Sequence, residues 1–425
     1  MDHIFREAIY KNWLEIFIVL STLIFILLPE IDIPFTDLNL SNLLIPLLPI
    51  IYFFLHKKSF LNKIKVFKNE IIVSIIFFIY LIFLSLISPY PKTGLFYTIK
   101  LLEFLPVFIF SLFLFKDKET FYLLLLLFSI FLGIINIILF VFPNLYLNIF
   151  NERVFTYPRM QSLIGHPNSY GFAILMFILI AFILFEDKLI PPSLLLFSYI
   201  FNSFNLVLTG SKNNFIVFLI LSIILIYKLR EYNKNTALIL LICLLFLSFL
   251  FYIFWLKTYH YLWLKIIKIA KPQRIFSQDS QKIINTIKAL TQYEITSFNF
   301  RKEIYKSAIE TIKKYPLGLG PYVFQSEILK RNNTIVKIFG ENTKGFHAHN
   351  IILQTWLDFG IASFLIIFGI IYLALNLKSN LKLFWSIVLL SNIVDCFLTN
   401  IFILYLSIII LGFSLMELKN EKNID

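Results

Sequence analysis

The chain has 425 residues, a formal net charge of +13, a hydrophobic fraction of 59% and a mean hydropathy of +0.82. A soluble protein of this length would distribute its apolar residues on amphipathic periods, and this one does not. Its only cysteines, Cys243 and Cys396, both lie inside apolar runs and read as buried thiols rather than a disulfide or metal pair.

From the N-terminus onward, runs of about 20 apolar residues recur, the length that crosses a hydrocarbon core of about 30 Å. In lipid a backbone must satisfy its own hydrogen bonds, so each run is expected to be a helix. Spans are expected at 13–29, 38–55, 71–88, 96–115, 120–142, 168–185, 191–208, 213–228, 237–256, 349–375, 382–398 and 400–416. The first is long and lacks a small-residue cleavage site, so it reads as a span rather than a removed leader. The expected fold is an all-α polytopic membrane protein of about 12 transmembrane helices with one large, mainly helical outer loop. The division is 1–256 for nine helices, 257–348 for the loop domain, and 349–425 for three helices and a tail.

The connections 56–69 and 228–236 are short and basic, and alternation places them on one side with both termini. The positive-inside rule makes that side the cytoplasm. The first outer turn, "PEIDIPFTD", carries Glu30, Asp32 and Asp37 but no Asp-x-Asp, so a metal site is not expected there. Lys100 and Glu103, three apart in the fourth span, read as a mutually neutralising pair. Asp395 also falls within a span and has no assigned role.

Two outer segments exceed ordinary loops. The first, 143–167, holds Arg159 and His166. The second, 257–348, is too long for a simple connection and holds 16 Lys/Arg against 6 Asp/Glu. About ten of the net positive charges therefore lie in one outward segment, which points to anionic partners such as membrane lipid head groups or lipid-linked phosphates, and not to nucleic acid. Within it, 257–271 mixes Tyr, Trp and Lys in the manner of an interfacial helix. Residues 299–320, "NFRKEIYKSAIETIKKYPLGLG", read as a helix capped by Asn299, with Tyr305, Ala308 and Ile312 on one face behind Arg301, and stopped by Pro316, Gly318 and Gly320.

Beyond that loop stands "KGFHAHNIILQTWLDFG". His347 and His349 are two apart and do not make a helical metal pair. They are either polar residues at the membrane interface or a general base at a helix mouth, where the helix dipole favours a bound anion. Arg159, Lys212 in "LTGSKNN" and Arg301 are either solvated cations or a clamp for pyrophosphate, Arg by paired contacts and Lys as a point charge.

Four stretches carry a family resemblance: "GHPNSYG" (165–171), "LTGSKNN" (208–214), "RKEIYKSAIETIKKYPLGLG" (301–320), and His349-Asn350 followed after nine residues by Gly360. Together they resemble the O-antigen ligase and polymerase superfamily of bacterial membrane glycosyltransferases, with Lys212 standing where relatives commonly have Arg. The resemblance implies transfer of a glycan from a polyprenyl-pyrophosphate donor onto a lipid A–core sugar at the periplasmic face of the bacterial inner membrane. It implies His349 as catalytic base, with Arg159, Lys212, Arg301, His347, Asn168 and Asn350 binding pyrophosphate or sugar; no cofactor is expected, and an outer face with cations and no Asp-x-Asp leads to the expectation that no metal is needed. The two asparagines could equally cap helices, and His347 could be the base with His349 orienting. The spacing to Gly360 favours a ligase. A polymerase extending the glycan on its carrier is the alternative within the class, and a lipid-linked-oligosaccharide transporter the alternative outside it. A transporter would more naturally show two matching halves, and no internal repeat is present.

Overall fold

The structure, a computed structural model, describes residues 64–102, 104–114, 118–142, 160, 162, 167–269, 301–331, 347–394 and 400–422. The first two expected spans lie outside these residues, as do Glu30, Asp32, Asp37, Glu103, Arg159, His166, Asn299, Asp395 and Cys396.

The apolar runs fold as α1 (Lys68–Ile87), α2 (Pro91–Leu102), α3 (Phe104–Leu114), α4 (Lys118–Val141), α5 (Pro167–Glu186), α6 (Pro192–Thr209), α7 (Lys212–Tyr232) and α8 (Lys234–Ile269). Residues 301–314 form α9, followed by a π-helix (Phe324–Ile328) and a 3-10 turn (Leu329–Arg331). The chain then runs through α10 (Ile351–Phe359), α11 (Ser363–Asn376), α12 (Leu381–Val394) and α13 (Ile401–Lys422). Among the described residues, eight helical stretches are long and apolar enough to cross a membrane, counting α2–α3 and α10–α11 as one each. The apolar part of α12 is shorter, and α7 opens on two asparagines and ends on Lys228 and Arg230.

α5 is the central helix. In its most apolar stretch 83% of residues are buried, against 17% for α1, and it packs against α4, α6, α7 and α12. Val73, Ile76, Ile79 and Phe83 of α1 stay exposed, as lipid-facing side chains should. Inside the bundle, buried polar side chains join helices: Tyr170 Oη donates to Asn205 Oδ1 at 3.3 Å, and Tyr199 Oη to Ser222 Oγ at 2.7 Å. Such bonds hold apolar helices together where lipid offers no competing partner.

The two ends of the bundle differ. At one, Lys419 pairs with Glu70 at 2.8 Å, Lys228 with Glu186 at 3.7 Å and with the Asn380 side chain, and the Ser379 N–H donates to Glu417 at 3.0 Å. At the other meet the starts of α2, α5, α7 and α10 and the end of α12.

Two elements differ from expectation. The segment expected to start an interfacial helix at 257 does not begin a separate one: α8 continues to Ile269 as one helix of 36 residues. At 1.5 Å per residue that is about 54 Å, longer than a bilayer core. No Gly or Pro interrupts the chain before Pro272, so nothing stops the helix at the membrane boundary. The expected span 349–375 is present as Ile351–Asn376, and within it a 3-10 turn, Gly360–Ala362, interrupts the α-helix for a reason that lies in the loop facing it.

Candidate active site

The histidines sit at the start of α10, and the chain there is held from three directions. Asn350 caps the helix: its Oδ1 accepts the N–H groups of Ile352 at 2.9 Å and Leu353 at 3.1 Å. Its Nδ2 donates to the Ile393 carbonyl of α12 at 2.9 Å. His349, just before, has φ 51°, a left-handed conformation that a non-glycine residue adopts only when its surroundings impose it. Tyr305 is part of what imposes it, its hydroxyl donating to the His349 carbonyl at 3.1 Å. Tyr305 belongs to α9, whose Ile304 and Ala308 are fully buried in a cluster with Ala348 and Leu357. Arg301 stands one helical turn before Tyr305 and is partly exposed. The helix that carries Arg301 is thus docked on the residues that carry His347 and His349.

A buried polar chain fixes the same corner from beneath. The Ala348 N–H donates to Gln354 Oε1 at 2.8 Å, and Gln354 Nε2 donates to Asp358 Oδ2 at 2.8 Å. Asp358 Oδ1 accepts the Tyr322 N–H at 3.1 Å. Tyr322, also left-handed at φ 65°, stacks on Tyr97 of α2 with ring centroids 4.2 Å apart and presents an edge-on contact to His347 at 6.4 Å. Lys100, one turn from Tyr97, lies over the Phe96 ring at 4.7 Å. The structure therefore puts Lys100 beside an aromatic wall that reaches His347; Glu103, its expected partner, is outside the described residues.

The break in α10–α11 follows from the Pro-Leu-Gly-Leu-Gly turn. The Trp356 indole N–H donates to the Pro316 carbonyl at 3.0 Å, and the Leu319 N–H to the Leu357 carbonyl at 2.8 Å. Tyr80 of α1 donates to both Leu317 and Phe359 carbonyls at 3.2 Å. Gly318 and Gly360 meet backbone to backbone. A Cβ on Gly318 would stand 2.6 Å from the Gly360 nitrogen, and one on Gly360 would fall inside the Leu317 carbonyl. Both have positive φ, 94° and 55°, so glycine is required for conformation and for space alike. Gly360 serves the site by locking the turn after α9 onto α10.

Lys212 and Asn168 lie on the adjoining helix starts. Asn213 Nδ2 donates to the Ser391 carbonyl at 3.1 Å, two residues before the carbonyl that holds Asn350, so α7 and α10 both begin against the end of α12. Asn168 is in the first turn of α5 and not before it, and its carbonyl accepts from Asn214 Nδ2 at 2.6 Å. Lys212 is the exposed first residue of α7. A cation there is opposed by the helix dipole, an arrangement that an incoming anion relieves. Met160, the neighbour of Arg159, is buried and donates its N–H to the Leu208 carbonyl at 2.8 Å, beside the turn that leads to Lys212.

His347, His349, Asn350 and Arg301 are therefore joined through direct contacts of their elements, with Lys212 and Asn168 linked to them through α7, α5 and α12. Among the described residues no three His, Cys, Asp or Glu side chains form a group that could hold a metal ion. Tyr305 lies within the 301–320 motif, whereas Gln354, Asp358, Tyr322 and Tyr97 support the site without having been expected there. The one trace of them in the sequence is the polar row Asn350, Gln354, Asp358 at four-residue spacing within an apolar helix.

Fold and site together define a polytopic helical membrane protein with histidines and cations carried on elements that meet at one end of its bundle. The family model described as O-antigen ligase matches residues 197–368 of the chain. The match runs from within α6 to within α11 and takes in Lys212, Arg301, His347, His349, Asn350 and Gly360. The match supports a membrane glycosyltransferase of the O-antigen ligase or polymerase type, and with it a lipid-linked glycan and a lipid acceptor as the general substrate classes. No curated protein and no solved structure matches the chain.

Proposed function

We propose that the protein is an inverting, metal-independent glycan ligase that moves a glycan from polyprenyl pyrophosphate to a lipid A–core sugar. The reaction lies on the periplasmic side of the bacterial inner membrane, with both chain termini in the cytoplasm. His349 takes the proton of the acceptor hydroxyl as its oxygen bonds to the anomeric carbon. The bond from that carbon to the phosphate oxygen breaks, and its electron pair leaves with polyprenyl pyrophosphate. Arg301, Lys212 and Arg159 stabilise the departing charge. His347 and Asn168 contact sugar or phosphate, and Asn350 fixes the helix start on which His349 stands.

The observation that carries this reading is the Tyr305–His349 contact, which joins the Arg301 helix to the histidine turn. A base and a cation carried on elements docked against each other answer the two needs of the reaction, a deprotonated nucleophile and a stabilised leaving group. In a purified assay with the lipid-linked donor and lipid A–core acceptor, transfer should proceed unchanged in EDTA. Loss in EDTA that Mg²⁺ or Mn²⁺ restores would overturn the metal-independent mechanism. Deletion of the gene should leave long glycan unlinked to core; core bearing a single repeat would instead identify a polymerase.

A further inference from the structure

The π-helix Phe324–Ile328 holds a residue that the fold does not explain. Gln325 is fully buried, and neither its Oε1 nor its Nε2 has a hydrogen-bond partner. Buried amides are almost always paired, and an orphaned one is costly to keep. Its setting is unusual as well. Three residues before it, Tyr322 is left-handed, pinned through its N–H by Asp358 and stacked on Tyr97 beside His347. After Ile328 the π-helix passes directly into the 3-10 turn Leu329–Arg331. A widened turn followed by a tightened one is a change of hydrogen-bond register within one short helix, a feature that gathers at functional sites and hinges. Strained backbone collects in the same places.

We propose that Gln325 is a sugar-positioning residue whose missing partners are hydroxyl groups of the bound glycan, and that relaxing the π segment turns its amide toward them. This rests on the glycosyltransferase reading above. The chemistry selects the ligand class. The side-chain amide offers both a donor and an acceptor. A group that is itself both donor and acceptor satisfies the two atoms together, and the hydroxyl groups of a glycan are the part of the lipid-linked donor that offers both. A pyrophosphate accepts only and would leave Oε1 unpaired, and a prenyl chain offers neither. Neighbouring Thr93 and Glu327, bonded at 3.2 Å, tie the π-helix to the start of α2 and keep the segment at the site while its register changes.

The test replaces Gln325 by an apolar side chain of similar length, Gln325→Met, with Gln325→Leu as a second variant. Three quantities are measured on the full-length protein in detergent: thermal stability, transfer from the lipid-linked glycan extracted from host cells, and binding of sugar-free polyprenyl pyrophosphate. The expected result is unchanged or raised stability, a 10- to 100-fold loss of kcat/KM for the glycan donor, and unchanged binding of the sugar-free lipid. Transfer equal to wild type overturns the proposal. So does a parallel fall in stability and activity, which would mean that Gln325 has a structural partner such as an internal water. An equal loss of binding for the sugar-free lipid overturns it too, since the contact would then not be to sugar. If the wild-type protein transfers no lipid-linked glycan, the glycosyltransferase reading fails first and the proposal falls with it.

Discussion

Substituting Gly360 by Ala strikes the joint between the α9 turn and the broken span. Gly360 has φ 55°, and a Cβ there would lie inside the Leu317 carbonyl and 2.9 Å from the Gly318 nitrogen. Neither obstacle is a side chain that can swing aside. The conformational cost for a non-glycine residue in such a region is about 1–3 kcal/mol, and overpacking a close contact adds about 1–3 kcal/mol. The sum, about 2–6 kcal/mol, exceeds what any one bond across the joint returns, so the turn should lift away from α10. The Trp356–Pro316 and Leu319–Leu357 bonds would open with it. Gly369 is the control, because a Cβ there meets nothing within 4 Å. Gly369→Ala should be neutral or slightly stabilising, since Ala favours a helix by about 0.8–1 kcal/mol over Gly. The assay is thermal unfolding in detergent followed by Trp356 emission against a Trp356→Phe blank, with transfer measured in parallel. Gly360→Ala should lose both stability and transfer. A Gly360→Ala protein as stable and active as Gly369→Ala would refute the claim that this backbone contact builds the site.

Three further outcomes are expected. Asp358→Asn should cost about 1–3 kcal/mol: the carboxylate accepts from both Gln354 Nε2 and the Tyr322 N–H, and an amide in either orientation turns its NH₂ against one of these donors; chemical denaturation reads the loss. Asn350→Ala should cost about 0.5–2 kcal/mol as a lost cap while Asn350→Ser keeps the cap and most transfer, whereas loss of transfer in a stable Ser variant would show that Asn350 touches substrate. Arg301→Ala should cut transfer by about 10²–10³, with Lys restoring part of it, and Lys212→Arg should be tolerated; steady-state kinetics on the three variants checks the pattern.

The helices were legible because lipid leaves an apolar run few alternatives. The end of α9 at Pro316 and the cap at Asn350 were legible from local chemistry, since a cap or a stop depends on a few neighbouring residues. The break at Gly360 was not. It arises from a turn some forty residues earlier pressing on the span, a tertiary contact that no local period records. The continuation of α8 past the membrane boundary escaped for the opposite reason: Tyr, Trp and Lys suit an interfacial helix and a straight continuation equally. Within the site, His349, Arg301 and Lys212 were visible through their motifs, and the structure links the elements that carry them. Asp358, Gln354 and Gln325 were not singled out, because one polar residue in an apolar or loop segment has no spacing to distinguish it, and Tyr305 was read only as part of an apolar helix face. The conformation of His349 was also hidden, for left-handed backbone at a histidine is set by its neighbours and not by its own chemistry.

The central claim is that His349 is the base. The most direct measurement is single-turnover transfer by purified His349→Ala and His347→Ala proteins, each first shown to unfold at the wild-type temperature. His349→Ala should slow the chemical step by about 10²–10⁴, the range for a lost acid–base group, while leaving donor binding intact. Wild-type transfer by a well-folded His349→Ala protein, or the full loss appearing in His347→Ala alone, would contradict the assignment.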